Sequence, residues 1–197
     1  MIFVHPNLEI HFSKSVIKNN YMKILKRWWI PLFILSFFAG KYFYQMPKFD
    51  DGERSPNFEW TLSSGEKSDL TKLEGKYVLI DFWGSWCGPC IAEFPGLTSL
   101  FKKYQNVKFK TANGFDIVGV GVEKGEKRWS RAIERYKLVW KNHVFDENTN
   151  FRFFNSKIAQ LYGITEVPTK YLLDAKGVIV LVNPSVEELD KFLKEQL

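Results

Sequence analysis

The chain has 197 residues, of which 45% are hydrophobic and 25% charged, and this is typical of one folded domain with an added segment. Its two cysteines exclude a scaffold held by several disulfides and a zinc site built from two cysteine pairs. Nearly all of the net charge of +6 resides in residues 1–47. Residues 48–197 are close to neutral and carry no basic stripe, so nucleic-acid binding has little support.

Residues 28–46 predict a transmembrane signal anchor, because they begin with thirteen uncharged residues and carry aromatic residues at both ends. Residues 1–27 are basic, so the positive-inside rule places this short tail in the cytoplasm. The main domain would then lie on the extracytoplasmic, periplasmic side of the inner membrane. A cleaved signal peptide and a buried helix of a soluble protein remain alternatives. Residues 1–21 are a mis-called extension if translation starts at Met22.

Polar residues with proline and glycine follow at 47–57 and predict a linker to a domain over 58–197. Within this domain, strand and helix patterns alternate, which predicts an α/β fold with a central sheet and helices on its faces. The predicted elements, in chain order, are a buried strand at 77–83, a helix at 88–104, a second buried strand at 115–122, helices at 128–138 and 156–162, a hairpin of strands 169–173 and 178–182, and a final helix at 186–197.

Both cysteines lie in the sequence Trp-Cys-Gly-Pro-Cys at 86–90, between the first buried strand and the helix that follows it. A cysteine at the start of a helix has its sulfur near free backbone N–H groups, which stabilise a thiolate and lower the pKa of the thiol. We therefore expect an exposed, nucleophilic Cys87 and an inward-facing Cys90 one turn later. Exchange would proceed through a mixed disulfide on Cys87, which Cys90 displaces.

The run from Ile80 to Cys90 resembles the active-site signature of thioredoxins, and residues 52–197 resemble the TlpA/ResA-like family of membrane-anchored thioredoxins. Other matches are Ser-Pro-Asn-Phe at 55–58, Glu-Phe-Pro at 93–95 and Val-Pro-Thr at 167–169. The resemblance implies a thioredoxin fold, with a central mixed sheet flanked by helices, and a thiol-disulfide oxidoreductase acting on client proteins. Some family members reduce apocytochrome cysteines before haem attachment, which implies a role in cytochrome c maturation.

The resemblance also implies roles for residues around the cysteines. Asp81 matches a buried aspartate that takes the proton from the resolving thiol, and burial should raise its pKa. Glu93 matches a glutamate that tunes thiol acidity, with a plain solvated helix glutamate as the alternative. Pro168 matches a cis-proline opposite the disulfide, which presents the Val167 backbone to an extended substrate. The remaining expected substrate-binding residues are Trp86, Gly88 and Pro89.

The chain departs from the family pattern at two places. Gly84 stands where many relatives have alanine, and we expect this difference to matter little. Residues 123–154 look like an insertion that contains Trp129, Trp140 and His143. We expect this stretch to influence the choice of partner.

Two other functions are compatible with a thioredoxin fold. One is a thiol peroxidase, and the other is a copper-binding or copper-delivery protein that uses both thiolates and His143.

The Gly-Pro dipeptide between the cysteines favours a reducing disulfide pair, and therefore a reductase. Outside the cytoplasm, a reductase needs an integral membrane electron donor of the thiol-transporter type. We expect no cofactor and no bound metal, and we expect His143 to be structural.

Overall fold

The computed structural model describes residues 27–42, 48–150 and 154–197. The chain divides into two compact units, Met1–Met46 and Pro47–Leu197. In the first unit, residues 27–42 form helix α1. Residues 1–26 of the predicted basic tail, with the alternative start at Met22, and residues 43–46 of the predicted span lie outside the described residues. Within the described ranges, no helix combines the length and the apolar character needed to cross a membrane.

The second unit is built on a mixed five-stranded sheet with the strand order β5-β4-β3-β6-β7, next to a separate β1-β2 hairpin. Strand β3 runs parallel to β4 and antiparallel to β6. The elements are β1 (Glu59–Thr61), β2 (Lys67–Asp69), a 3₁₀ helix (Leu70–Leu73), β3 (Tyr77–Trp83), α2 (Gly88–Tyr104), β4 (Phe115–Glu123), α3 (Glu126–Tyr136), β5 (Asn142–Glu147), α4 (Lys157–Tyr162), β6 (Thr169–Leu173), β7 (Ile179–Val182) and α5 (Val186–Glu195).

Strand β3 lies at the centre of the sheet, and all seven of its residues are buried, as its apolar run predicts. Successive side chains on a strand point to opposite faces, so β3 divides the core in two. Leu79 and Trp83 belong to the cluster that contains both cysteines, whereas Ile80 and Phe82 belong to the cluster on the other face. By this alternation, Asp81 shares the face of Leu79 and Trp83. The strand thus places a carboxyl group on the side of the sheet where the cysteines lie.

Helix α2 begins directly after Cys87 and has the bounds that the sequence predicts. Pro89 lies in its first turn, where a missing N–H leaves no hydrogen bond unmade. Phe94 and Leu97 are buried against the sheet, so the helix packs along the face that Asp81 shares. Its first turn is thereby held at the carboxyl end of β3.

The hairpin β1-β2 and strand β5 are absent from our strand predictions. Each hairpin strand has only three residues, with only the central side chain buried, so no alternation could be recognised. In addition, part of the segment predicted as a linker is hydrogen bonded to the domain. The N–H of Gly52 donates to the carbonyl of Ile179 at 2.8 Å, and the N–H of Ser55 donates to that of Gly177 at 3.0 Å.

Candidate active site

Cys87 and Cys90 form a disulfide where the chain leaves β3 and enters α2, with their Cα atoms 5.3 Å apart. Cys87 is the N-cap of α2, and its Sγ accepts a hydrogen bond from the N–H of Cys90 at 3.2 Å. The predicted position of this sulfur beside a free backbone N–H is confirmed. In the reduced protein, the same N–H and the positive end of the helix dipole would stabilise a Cys87 thiolate.

Cys87 is more buried than we predicted. Only 4% of its surface is exposed, so the prediction of an exposed cysteine is wrong. Its Sγ lies 3.6 Å from the carbonyl oxygen of Val167, which precedes Pro168 across a cis peptide bond. Helix position alone could not show that this loop would cover the sulfur. The predicted cis-proline and the predicted burial of Cys90, which is 2% exposed, are both confirmed.

Three charged side chains come together on this face of the sheet. Asp81 on β3 and Lys170 on β6 face each other in the strand register, and they are 2% and 4% exposed. The Nζ of Lys170 donates to Oε2 of Glu93 at 2.6 Å. Glu93 lies on α2, three residues after Cys90. Because its carboxylate is paired with Lys170, it is not a plain solvated glutamate. We call Asp81, Lys170 and Glu93 the buried charge cluster.

Burial and the two neighbouring charges together set the pKa of Asp81. Burial raises the pKa of Asp81 from 3.8 to about 7, as predicted, with the positive charge of Lys170 opposing the rise and the negative charge of Glu93 adding to it. Near neutral pH, Asp81 can therefore either hold or release a proton. This is the property that a proton acceptor for a nearby thiol needs.

Lys170 is the site residue that sequence analysis missed. It lies in β6, all five of whose residues are buried. Lysine is almost never fully buried without a partner, so a lysine within a predicted core strand is itself a signal. Its partner Glu93 is 77 residues away in the chain, and no local pattern connects the two.

Trp86 is 42% exposed, and its indole has a defined position. Its Nε1–H donates to the carbonyl oxygen of Val122 at 3.1 Å, and its ring centroid lies 6.2 Å from that of Phe154. The indole lies over Gly84, where a Cβ would approach it to 2.6 Å. Our expectation that Gly84 matters little is therefore wrong, because an alanine there would displace the Trp86 ring.

The residues expected to bind substrate do lie around the disulfide. Gly88 and Pro89 are exposed in the first turn of α2, next to Trp86. Val167 and Pro168 are partly exposed, and the carbonyl oxygen of Val167 lies 3.6 Å from the Cys87 sulfur. Their part in binding substrate stays a prediction.

His143 lies on β5, away from this group of residues. Its ring packs against Trp140, with ring centroids 5.6 Å apart, and against Trp129. Burial lowers the pKa of His143 from 6.5 to about 4. Among the described residues, no group of three or more histidine, cysteine, aspartate or glutamate side chains could hold a metal ion.

Comparison with known proteins decides the family. Residues 75–179 match the family model described as thioredoxin-like. The chain belongs to the thioredoxin-like family. Among its relatives, the thiol-disulfide oxidoreductase ResA of Halalkalibacterium halodurans is 30% identical over 185 residues, covering 87% of this chain and 97% of the relative. The thioredoxin-like protein YneN of Bacillus subtilis is 32% identical and covers 79% of this chain and 88% of the relative.

Solved structures of thioredoxin-like proteins support the same assignment. A thiol-disulfide oxidoreductase from Bacteroides fragilis is 31% identical and has a TM-score of 0.62, covering 74% of this chain and all of that structure. The predicted thioredoxin fold, with its mixed central sheet flanked by helices, is confirmed. With its cysteine pair at disulfide distance, the chain is a thiol-disulfide oxidoreductase of the ResA type.

Proposed function

We propose that this protein is a membrane-anchored, extracytoplasmic reductase that reduces client disulfides through Cys87 and Cys90. The observation that carries the proposal is the position of the cysteine pair at the start of α2, on the same face of the sheet as the buried charge cluster. This arrangement supplies a stabilised nucleophile, a resolving thiol and an ionisable acceptor for its proton.

In the first step, the Cys87 thiolate attacks one sulfur of the client disulfide. A mixed disulfide forms on Cys87, and the other client sulfur leaves as a thiolate. The N–H of Cys90 stabilises the attacking sulfur. The Val167 backbone lies against that sulfur and can pair with an extended client segment as an added strand.

In the second step, the Cys90 thiol gives its proton to Asp81 and attacks the Cys87 sulfur. The second client sulfur leaves as a thiolate, so the client has gained two electrons and the Cys87–Cys90 disulfide has formed. Lys170 acts here as a positioning residue. Its positive charge limits the rise in the pKa of Asp81, so that the carboxylate form is available near neutral pH.

The Gly-Pro dipeptide between the cysteines supports the reducing direction of electron flow. It is part of the sequence that resembles the active-site signature of thioredoxins, and thioredoxin is a strong reductant with a potential of about −270 mV. A reductase outside the cytoplasm must be re-reduced, and we propose an integral membrane thiol transporter as its electron donor. Its clients are proteins that carry disulfides. Apocytochromes c are the first client class to test, because the family resemblance implies it.

The uncharged stretch within residues 28–46 and the basic residues before it support the proposed membrane anchor. The similarity to ResA of Halalkalibacterium halodurans points the same way. The matched region covers 87% of the chain, whereas residues 48–197 make up only about three quarters of it. The similarity therefore extends into the N-terminal unit. Resistance of the chain to alkaline extraction from membranes, and cleavage of its domain by protease added to spheroplasts, would test the anchor and its orientation.

The reduction potential of the full chain in a non-ionic detergent tests the reductase assignment. We expect equilibration with dithiothreitol buffers to give a value near that of thioredoxin, about −270 mV. A value near −120 mV would reverse the assignment to a disulfide donor.

A second experiment identifies the clients. A Cys90→Ser variant should trap them as mixed disulfides on Cys87, and a Cys87→Ser/Cys90→Ser variant is the matched control that should trap none.

A further inference from the structure

Helix α3 and its flanks concentrate positive charge. Residues 124–137 contain six lysines and arginines but only two acidic residues, whereas the rest of 48–197 has more acidic than basic residues. Arg128, Arg131 and Arg135 are spaced three and four residues apart, so they share one side of the helix. Our prediction that this domain shows no basic stripe is therefore wrong. The total charge of the domain did not reveal the stripe, because acidic residues elsewhere balance its positive charge.

The arginines of this stripe are exposed. In the part of the chain that the structure describes, none of the three forms an ion pair. A stripe of guanidinium groups that form no ion pairs is a surface able to take carboxylates, which arginine binds with two parallel hydrogen bonds.

The neighbouring, apolar side of α3 is anchored in the core. Ala132 is buried, and Tyr136 packs on Phe94 of α2 with ring centroids 5.6 Å apart. Trp129 lies on Gly121 of β4 so closely that a Cβ at Gly121 would collide with its indole. Because this apolar side is held against the sheet and α2, the arginine stripe is held on the outer side.

A groove of about 980 Å³ runs between α3 and the loop that precedes the disulfide. Ser85 and Trp86, the two residues directly before Cys87, form one wall. The other wall carries cations, and one carboxylate, that of Glu126, also lines the groove; the cationic lining residues are Lys124, Lys127, Arg128, Arg131 and Arg135. A segment in this groove would thus lie next to the residue that attacks the client.

We infer that this groove is a docking site for an acidic segment of the protein that exchanges disulfides with Cys87. Charge complementarity steers such partners and speeds their association. A protein partner is favoured over a lipid surface because the groove adjoins the redox-active cysteine. The inference rests on the thiol-disulfide exchange activity, and it holds for either direction of electron flow.

Two disulfide peptides of identical core sequence test this site, one flanked by four aspartates and the other by four asparagines. With the full chain in a non-ionic detergent, we expect kcat/KM for the acidic peptide to exceed that for the neutral peptide about tenfold at low salt. The ratio should fall toward one at high salt, because the charges are then screened. Oxidation of the corresponding dithiol peptides should show the same ratio, so a wrong direction of electron flow would not hide the preference.

An Arg128→Gln/Arg131→Gln/Arg135→Gln variant should lose the preference, since glutamine keeps the helix propensity and removes the charge. The same three positions changed to lysine should retain most of it. The matched control is Lys102→Gln/Lys191→Gln, which removes exposed cations from other helices and should keep the ratio.

Equal rates for the two peptides with the unchanged chain would overturn the inference. A preference that persists in the glutamine variant would also overturn it, because the acidic segment would then bind elsewhere. Vesicles of anionic phospholipid test the other occupant. If the glutamine variant loses vesicle binding but keeps its peptide preference, the stripe binds lipid headgroups and the inference is wrong.

Discussion

Two clusters of lysine and carboxylate groups show how burial and direct ion pairing shift the pKa of a carboxylate in opposite directions. In the buried charge cluster, Lys170 contacts Glu93 at 2.6 Å, and only 5% of the Lys170 side chain is exposed. On the surface, Asp190 of α5 contacts Lys103 at 2.7 Å and Lys194 at 2.6 Å, and these lysine side chains are 47% and 57% exposed. The contact lengths are nearly the same, but in the buried charge cluster the contact is made by Glu93, and Asp81 faces Lys170 across the strand register.

The aspartates of the two clusters nevertheless shift in opposite directions. Hydrogen bonds from Lys103 and Lys194 lower the pKa of Asp190, whose side chain stays 26% exposed. Burial raises the pKa of Asp81 more than the charge of Lys170 can lower it. A lysine in the same cluster therefore does not by itself decide the protonation of a carboxylate. The hydration that each carboxylate loses on folding decides it.

The largest expected effect comes from Lys170→Met. This change removes the counter-charge of the buried Asp81 and the ion-pair partner of Glu93, whose side chain is 29% exposed, and we expect it to lower the free energy of unfolding by about 3 kcal/mol at pH 8. Urea unfolding of the full chain in detergent measures the loss. Lys103→Met is the matched surface change and should have a much smaller effect, because Lys103 is 47% exposed and Asp190 keeps its ion pair with Lys194. Equal losses in the two variants would contradict the comparison.

The second effect concerns the rate at which Cys90 displaces a mixed disulfide. We expect Asp81→Asn to slow this step about 100-fold at pH 7, since it removes the proton acceptor. Stopped-flow release of an aromatic thiol bound to Cys87 measures it. In the unchanged chain the rate should rise with pH as Asp81 loses its proton near pH 7, and the variant should lack this rise. Asp190→Asn should keep the rate and the profile, and a similar slowing there would refute the assignment.

The third effect is on stability, and its sign is opposite to that on the rate. The folded protein holds the Asp81 proton up to about pH 7, whereas the unfolded chain releases it near pH 3.8, so stability falls as pH rises between these values. A rise of about three in the pKa of Asp81 corresponds to about 4 kcal/mol, and the loss of a negative neighbour of Lys170 offsets part of it, so Asp81→Asn should stabilise the chain by about 2 kcal/mol at pH 8 and by almost nothing at pH 4. Denaturant unfolding at the two pH values checks this, and a gain that is equal at both would show that charge is not its cause.

The smallest effect is expected at Asp190. Its lowered pKa means that its charge stabilises the fold above the unfolded pKa and that this stabilisation disappears as pH falls. Asp190→Asn should cost at most about 1 kcal/mol at pH 7, since the ion pairs are partly exposed. The cost should shrink in 1 M salt. A gain in stability at pH 7, as expected for Asp81→Asn, would contradict the contrast between the clusters.

Much of the fold and the cysteine pair could be predicted because they depend on short-range patterns. The apolar run from Tyr77 to Trp83 and the helix after Cys87 were predicted with the bounds that the structure has. Asp81 could be predicted to be buried because it lies inside that run. The pairing of Lys170 with Glu93 could not be predicted, because it joins a strand and a helix that are distant in the chain.

By itself, the sequence determined where the redox pair lies and which cysteine caps the helix, because the free N–H groups of a helix end belong to the first turn alone. Only the tertiary structure decided the protonation of Asp81, the covering of Cys87 by the Val167 loop and the side of α3 that borders Trp86. Desolvation and charge interactions depend on every group brought within a few ångströms, and those groups come from distant parts of the chain.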